Sequence, residues 1–108
     1  MLINDFRPLM SLIIEDRQFE GLVDTGADVS VFSPQQWPND WKKEKSPVLT
    51  GLGSIADVWR SAQPLSCQLS NGKKVFISFY IVNIPINIWG RDLLFSLGTT
   101  LTISLENL

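Results

Sequence analysis

The chain has 108 residues, 19% of them charged, and a formal net charge of -2, which fits one globular domain over residues 1–108 with no basic face to neutralise phosphates. It has no histidine and one cysteine, so a Ser-His-Asp triad, a Cys-His pair, histidine-ligated zinc and an internal disulfide are excluded. No apolar run approaches the ~20 residues that cross a bilayer, and Asp5 and Arg7 interrupt the apolar stretch after Met1. Neither a nucleic acid, a membrane nor a secretory route is expected, and carboxylates remain as the catalytic groups.

In chain order, strand-like runs recur at roughly ten-residue intervals, the pattern of a small barrel or sandwich. The predicted strands are Leu9 to Ile14, Gln18 to Val23, Val29 to Phe32, Val48 to Leu52, Ala56 to Arg60, Leu65 to Gln68, Val75 to Val82 and Thr99 to Leu105. The first two form a hairpin over Glu15-Asp16-Arg17. Trp37-Pro38-Asn39-Asp40-Trp41 reads as a loop pinned by its indoles, and Lys42, Lys43 and Lys45 as a solvated loop. Gly51 and Gly53 allow a mobile hairpin tip that brings backbone close to a ligand. Cys67 reads as a small residue within a strand, and Trp59 and Trp89 as packing or pocket-wall residues. Ser70-Asn71-Gly72-Lys73 carries Asn-Gly, a strong hairpin signal. A helix is predicted over Arg91 to Leu97, where Leu93, Leu94 and Leu97 share a face and Gly98 offers a stop. The fold class is all-β with one short C-terminal helix.

The segment that carries chemistry is Asp24-Thr25-Gly26-Ala27-Asp28, preceded by Gly21-Leu22-Val23 and followed by Val29, Val31 and Phe32. It places an acid on a tight turn between apolar strands, where an unpaired carboxylate costs several kcal/mol. A lone Asp-Thr-Gly is more often a structural turn. Here Thr25 adds a hydroxyl, Gly26 permits close backbone approach, Ala27 is too small to obstruct a substrate, and Asp28 supplies a second polar group.

The run Leu22-Val23-Asp24-Thr25-Gly26-Ala27-Asp28-Val29-Ser30 resembles the active-site signature of retroviral aspartic proteases. Arg7-Pro8 upstream, Gly51 and Gly53 at the family's flap, and Ile88-Trp89-Gly90-Arg91-Asp92-Leu93-Leu94 at its strand-to-helix segment extend the likeness over nearly the whole chain. Trp37-Pro38, Trp41 and the Trp-Gly-Arg-Asp-Leu-Leu run resemble the betaretroviral branch and its endogenous relatives, mammary-tumour-type and human K-type.

This resemblance implies a small closed β-barrel active as a homodimer, which stoichiometry also requires, because the chemistry takes two carboxylates and the chain has one Asp-Thr-Gly. It implies an endopeptidase needing no metal or organic cofactor, with Asp24, Thr25 and Gly26 as the catalytic triplet. Thr25 would hydrogen-bond across the dimer, Gly26 would accept from the substrate backbone, and Asp28 would bind substrate further out. Arg91 would pair with Asp28 of its own chain and Arg7 with Asp28 of the partner. Val29, Val31, the flap residues Leu52, Ser54 and Ile55, and the loop Ile84-Pro85-Ile86 would line an apolar cleft for extended peptide segments of viral polyproteins. In Thr99 to Leu105, Leu101, Ile103 and Leu105 alternate with polar residues as a dimer strand would, and Met1 to Asp5 would replace a longer family N-terminus. The setting implied is a virus particle or host-cell cytoplasm. The alternative is a retroviral-protease-like domain that only dimerises or binds peptides, or a plain β-barrel interaction module.

Overall fold

A computed structural model describes residues 8–49, 52–69 and 72–98. The expectations on Met1 to Asp5, Arg7, Gly51 and the strand bearing Leu101, Ile103 and Leu105 lie outside the described residues, as does part of the Asn-Gly turn. The described elements are strands β1 (Leu9–Ile14), β2 (Arg17–Val23), β3 (Val31–Phe32), β4 (Lys43–Leu49), β5 (Ile55–Ser61), β6 (Leu65–Gln68), β7 (Lys74–Ile77), β8 (Tyr80–Ile81) and β9 (Asn87–Trp89), followed by helix α1 (Arg91–Leu97).

All nine strands belong to one sheet in the order β4-β5-β8-β3-β9-β2-β1-β6-β7. β1 and β2 pair antiparallel with Ile14 opposite Arg17. Their loop is therefore two residues, Glu15 and Asp16, both at positive φ (50 and 68), which suits the primed turn that follows strand twist. The Glu15 amide donates to the Ser66 carbonyl at 3.0 Å and its carboxylate accepts from the Ser66 amide at 2.7 Å, tying the turn to β6. β9 lies parallel to β2, with Val23 opposite Trp89, and antiparallel to β3, with Val31 opposite Ile88. The chain thus leaves β2, loops through residues 24–30 and returns as β3 on the other side of β9. That crossing puts the acid-bearing loop beside the start of α1.

Three expectations need correction. β4 begins at Lys43, so Lys43 and Lys45 belong to a strand instead of a solvated loop. Charged residues and Pro47 masked an edge strand, the place where lysine and proline are tolerated because one side of the ladder is unpaired. The run Val75 to Val82 splits into β7 and β8, which lie far apart in the sheet order. Between them Phe79 dives into the core, exchanging backbone and hydroxyl bonds with Ser61 at 2.8 and 3.0 Å. β3 starts at Val31 instead of Val29, because Asp28, Val29 and Ser30 are drawn to α1.

Phe32, fully buried, centres an aromatic core. Phe19, Trp37, Trp41, Phe79 and Trp89 surround it edge-on at centroid distances of 5.0 to 6.1 Å, the geometry ring quadrupoles favour. Trp37 donates its indole N–H to the Trp41 carbonyl at 3.2 Å. Arg17 stacks over Trp41 and grips Asp40 with two bonds, holding that carboxyl below its usual range. Leu93, Leu94 and Leu97 form the buried face of α1, and Gly98 ends it in the left-handed region at φ 71. Cys67 is buried in β6, and burial pushes its thiol pKa up to about 12.

Candidate active site

Asp24 follows β2 immediately. Its amide donates to the Trp89 carbonyl at 3.0 Å, its carbonyl accepts from the Ala27 amide at 3.1 Å, and its Oδ1 accepts from the Gly26 amide at 2.9 Å. The carboxylate is half-buried, with Thr25 and Gly26 exposed beside it. One oxygen is oriented by the turn's own backbone, so the rotamer is set before any ligand arrives.

The rest of the loop is fastened to α1. The Arg91 amide donates to the Ala27 carbonyl at 2.8 Å and the Asp92 amide to the Asp28 carbonyl at 3.3 Å. Arg91 also forms an ion pair with the Asp28 carboxylate. Ser30, fully buried, donates its hydroxyl to Asp92 Oδ1 at 2.7 Å and its amide to Oδ2 at 3.2 Å, and accepts from the Gly90 amide at 2.8 Å. Hydrogen bonds to a charged acceptor are the stronger kind, so Asp92 is the main clasp between helix and loop. Close approach demands glycine twice. A Cβ on Gly90 would lie 2.4 Å from the Val29 carbonyl oxygen, and one on Gly21 would lie 2.3 Å from the Trp89 ring. Trp89 in turn donates its indole N–H to the Met10 carbonyl at 2.8 Å.

Beside this loop is a cavity of about 420 Å³. Asp28, Val29 and Val31 form its floor, Val48, Ala56 and Val58 of the β4–β5 hairpin its roof, and Tyr80 and Val82 its side. Three of the expected binding residues, Asp28, Val29 and Val31, therefore meet in one apolar cleft. Leu52, Gly53, Ser54 and Ile55 instead occupy the hairpin's tip, where Leu52 is 96% and Ile55 72% exposed. Ile84, Pro85 and Ile86 do not line the cavity. The sequence reading missed Val48, Ala56, Val58, Tyr80 and Val82. The alternation Ala56, Val58, Arg60 along one strand face was a usable signal once the hairpin pairing was known. Among the described residues no group of three or more carboxylates or cysteines is placed to hold a metal.

An Asp-Thr-Gly turn with a self-oriented carboxylate, clasped to an Arg-Asp helix start under a hairpin, can be compared with known proteins. The sequence model described as retroviral aspartyl protease matches residues 4–102. The chain belongs to this family. Human relatives include the Pro proteins of endogenous retrovirus group K members 8 and 21, each 41% identical over 102 residues. Those matches cover 94% of this chain and 65% of the relatives' length. Among solved structures, the EIAV protease complexed with the inhibitor HBY-793 superposes with a TM-score of 0.72 at 26% identity, covering 94% of this chain and 97% of that one. The family resemblance read from Asp24 to Ser30 and from Ile88 to Leu94 thus agrees with the whole-chain comparison. The mostly-β architecture with one short helix is that of a retroviral protease.

Proposed function

We propose that two copies of this chain form an aspartic endopeptidase that cuts extended apolar segments of retroviral polyproteins. The observation that carries the reading is the Asp24 carboxylate, held at 2.9 Å by the Gly26 amide on a loop whose far end walls an apolar cleft. Each subunit contributes one Asp24. Two carboxylates about 3 Å apart cannot both be ionised, so the pair shares one proton. The ionised member takes a proton from a water lying between them, and that water attacks the peptide carbonyl. The protonated member hydrogen-bonds the carbonyl oxygen as it becomes tetrahedral. The proton gained from water is then delivered to the leaving amine, and the pair returns to its singly protonated state.

Thr25 supports the acids across the two-fold axis, Gly26 offers its carbonyl to the substrate backbone, and Arg91 holds Asp28 at the end of the cleft. Arg7 reaches the partner's acid, while Leu101, Ile103 and Leu105 close the dimer. The hairpin tip, Gly51 to Ile55, and the Ile84-Pro85-Ile86 loop complete the cleft on assembly. The place of action is a virus particle or the cytoplasm of its host cell, as for a retroviral Pro product.

The test is cleavage of a polyprotein fragment with apolar junctions, titrated over protein concentration at about pH 5, beside Asp24→Asn. A wild-type rate per chain that rises with concentration, with at least about a thousandfold loss in the variant, is the expected result. The profile against pH should be a bell whose limbs belong to the pair. A variant that still cuts, or a rate independent of concentration, overturns the proposal. Peptide binding without cleavage by the wild type points to the non-catalytic reading.

A further inference from the structure

The side of the cleft is built around one aromatic ring whose surroundings are unlike the rest of the lining. Tyr80 on β8 lies opposite Arg60 of β5 on one side and opposite Val31 of β3 on the other. All three face the cleft with Ala56, Val58 and Val82. The other lining side chains are short. Valines and an alanine around about 420 Å³ leave room that a small substrate side chain does not fill. Tyr80 alone offers an extended flat surface to an incoming group.

The ring is not held by packing alone. The Arg60 guanidinium lies 5.7 Å from its centroid, within the range of a cation–π contact. Arg60 is half-buried, and its Nε is buried with no hydrogen-bond partner among the described residues. A guanidinium so placed is kept there by its flat face on the phenol ring, since that nitrogen has no directional bond to anchor it. Arg60 itself does not line the cavity, so it touches the occupant only through Tyr80.

We infer that Tyr80 is a specificity-determining residue that makes this pocket prefer an aromatic substrate side chain over a β-branched one, and that Arg60 is its positioning residue. The inference rests on reading the cleft as a peptide site. An aromatic occupant buries more apolar area against the valines and gains an edge-to-face contact with Tyr80. A valine gains neither. Without the guanidinium the ring is free to leave the rotamer that presents it to the cleft, and the preference falls although every lining residue is intact.

The experiment measures equilibrium binding of peptides to the Asp24→Asn protein, so the result does not depend on catalysis. Apolar-junction peptides are varied one position at a time among Phe, Val and Ala. At one position the Phe peptide should bind at least about fivefold tighter than the Val peptide. Tyr80→Leu and Arg60→Met should each bring that ratio to within about twofold, while Arg60→Met leaves the Ala peptide nearly unchanged. Arg60→Lys, which keeps a cation above the ring, should restore part of the ratio. A uniform weakening of all three peptides in Arg60→Met shows a merely structural role and overturns the proposal. So does an unchanged ratio in Tyr80→Leu, or no peptide binding to the folded protein. Thermal melts of each variant identify any that has lost its fold, and Arg60→Lys then decides the question. Binding selectivity in a wild type that does not cut would leave this inference standing and remove the proposed catalysis.

Discussion

The loop at residues 24–30 and the β4–β5 hairpin face each other across the cleft and are built in opposite ways. The loop is held at nearly every residue: Asp24 to Trp89, Ala27 to Arg91, Asp28 to Asp92, Ser30 to Asp92 and Gly90. The hairpin is one edge of the sheet and ends in large apolar side chains exposed to solvent. Its outer face carries Trp59 beneath the ammonium groups of Lys43 and Lys45, at 5.0 and 5.3 Å, a local brace with no reach into the core. The difference assigns the two halves of the task. Chemistry is placed where backbone bonds fix geometry, and recognition where a strand pair can move over a bound chain.

Damage to the fastened side should be the most severe. Gly90→Ala drives a methyl into the Val29 carbonyl at the loop's tightest point, and a loss of about 3 kcal/mol or failure to fold is expected. Chemical denaturation measures it, and a loss under 1 kcal/mol would show the clamp to be loose. Asp92→Ala leaves the buried Ser30 hydroxyl and amide without their acceptor, for a cost of about 2 to 3 kcal/mol. Ser30→Ala made together with it should cost clearly less than the sum of the two single changes, because both remove the same bonds.

A milder effect arises on β6. The Cys67 thiol has an ordinary value of 9.0 and sits at about 12 when folded, so the folded chain holds a proton that the unfolded chain loses. Its contribution is fully present below pH 9 and lost as pH rises towards 12, by up to about 1.4 kcal/mol per unit. Stability measured over that window should fall more steeply in wild type than in Cys67→Ala. Smallest of all, Leu52→Ser at the hairpin tip should move stability by under about 0.5 kcal/mol while raising KM for an apolar peptide. A large loss of stability there would erase the contrast between the two sides.

Much of the fastened side was legible in the sequence because it is built from short-range signals. Asp24-Thr25-Gly26 declares a turn, and Leu93, Leu94 and Leu97 with Gly98 declare a helix and its end. The clasp between them was not, since Ser30 and Asp92 meet only after β9 inserts between β2 and β3. β9 itself escaped the list of strands: it is three residues long and centred on Ile88 between a buried Asn and a Trp. Asn87 is tolerated there because its amide bridges the Ser33 amide, the Glu20 carbonyl and the Gln36 side chain at 2.8, 3.1 and 2.9 Å. No local pattern announces such a network. The hairpin misled the reading for the opposite reason, because the lysines that shield an edge strand look like those of a solvated loop. Tyr80 was hidden within a run read as one continuous strand.

The bond from the Asp24 amide to the Trp89 carbonyl also sets an order of events. During synthesis the acid emerges long before the strand that anchors it, and the parallel pairing of β2 with β9 closes most of the chain into one loop. Until that loop closes, the Asp-Thr-Gly turn lacks its outer hydrogen bond and its helix. Assembly of the site is therefore a late step of folding, and any product ending before Trp89 carries the acid without the frame that orients it.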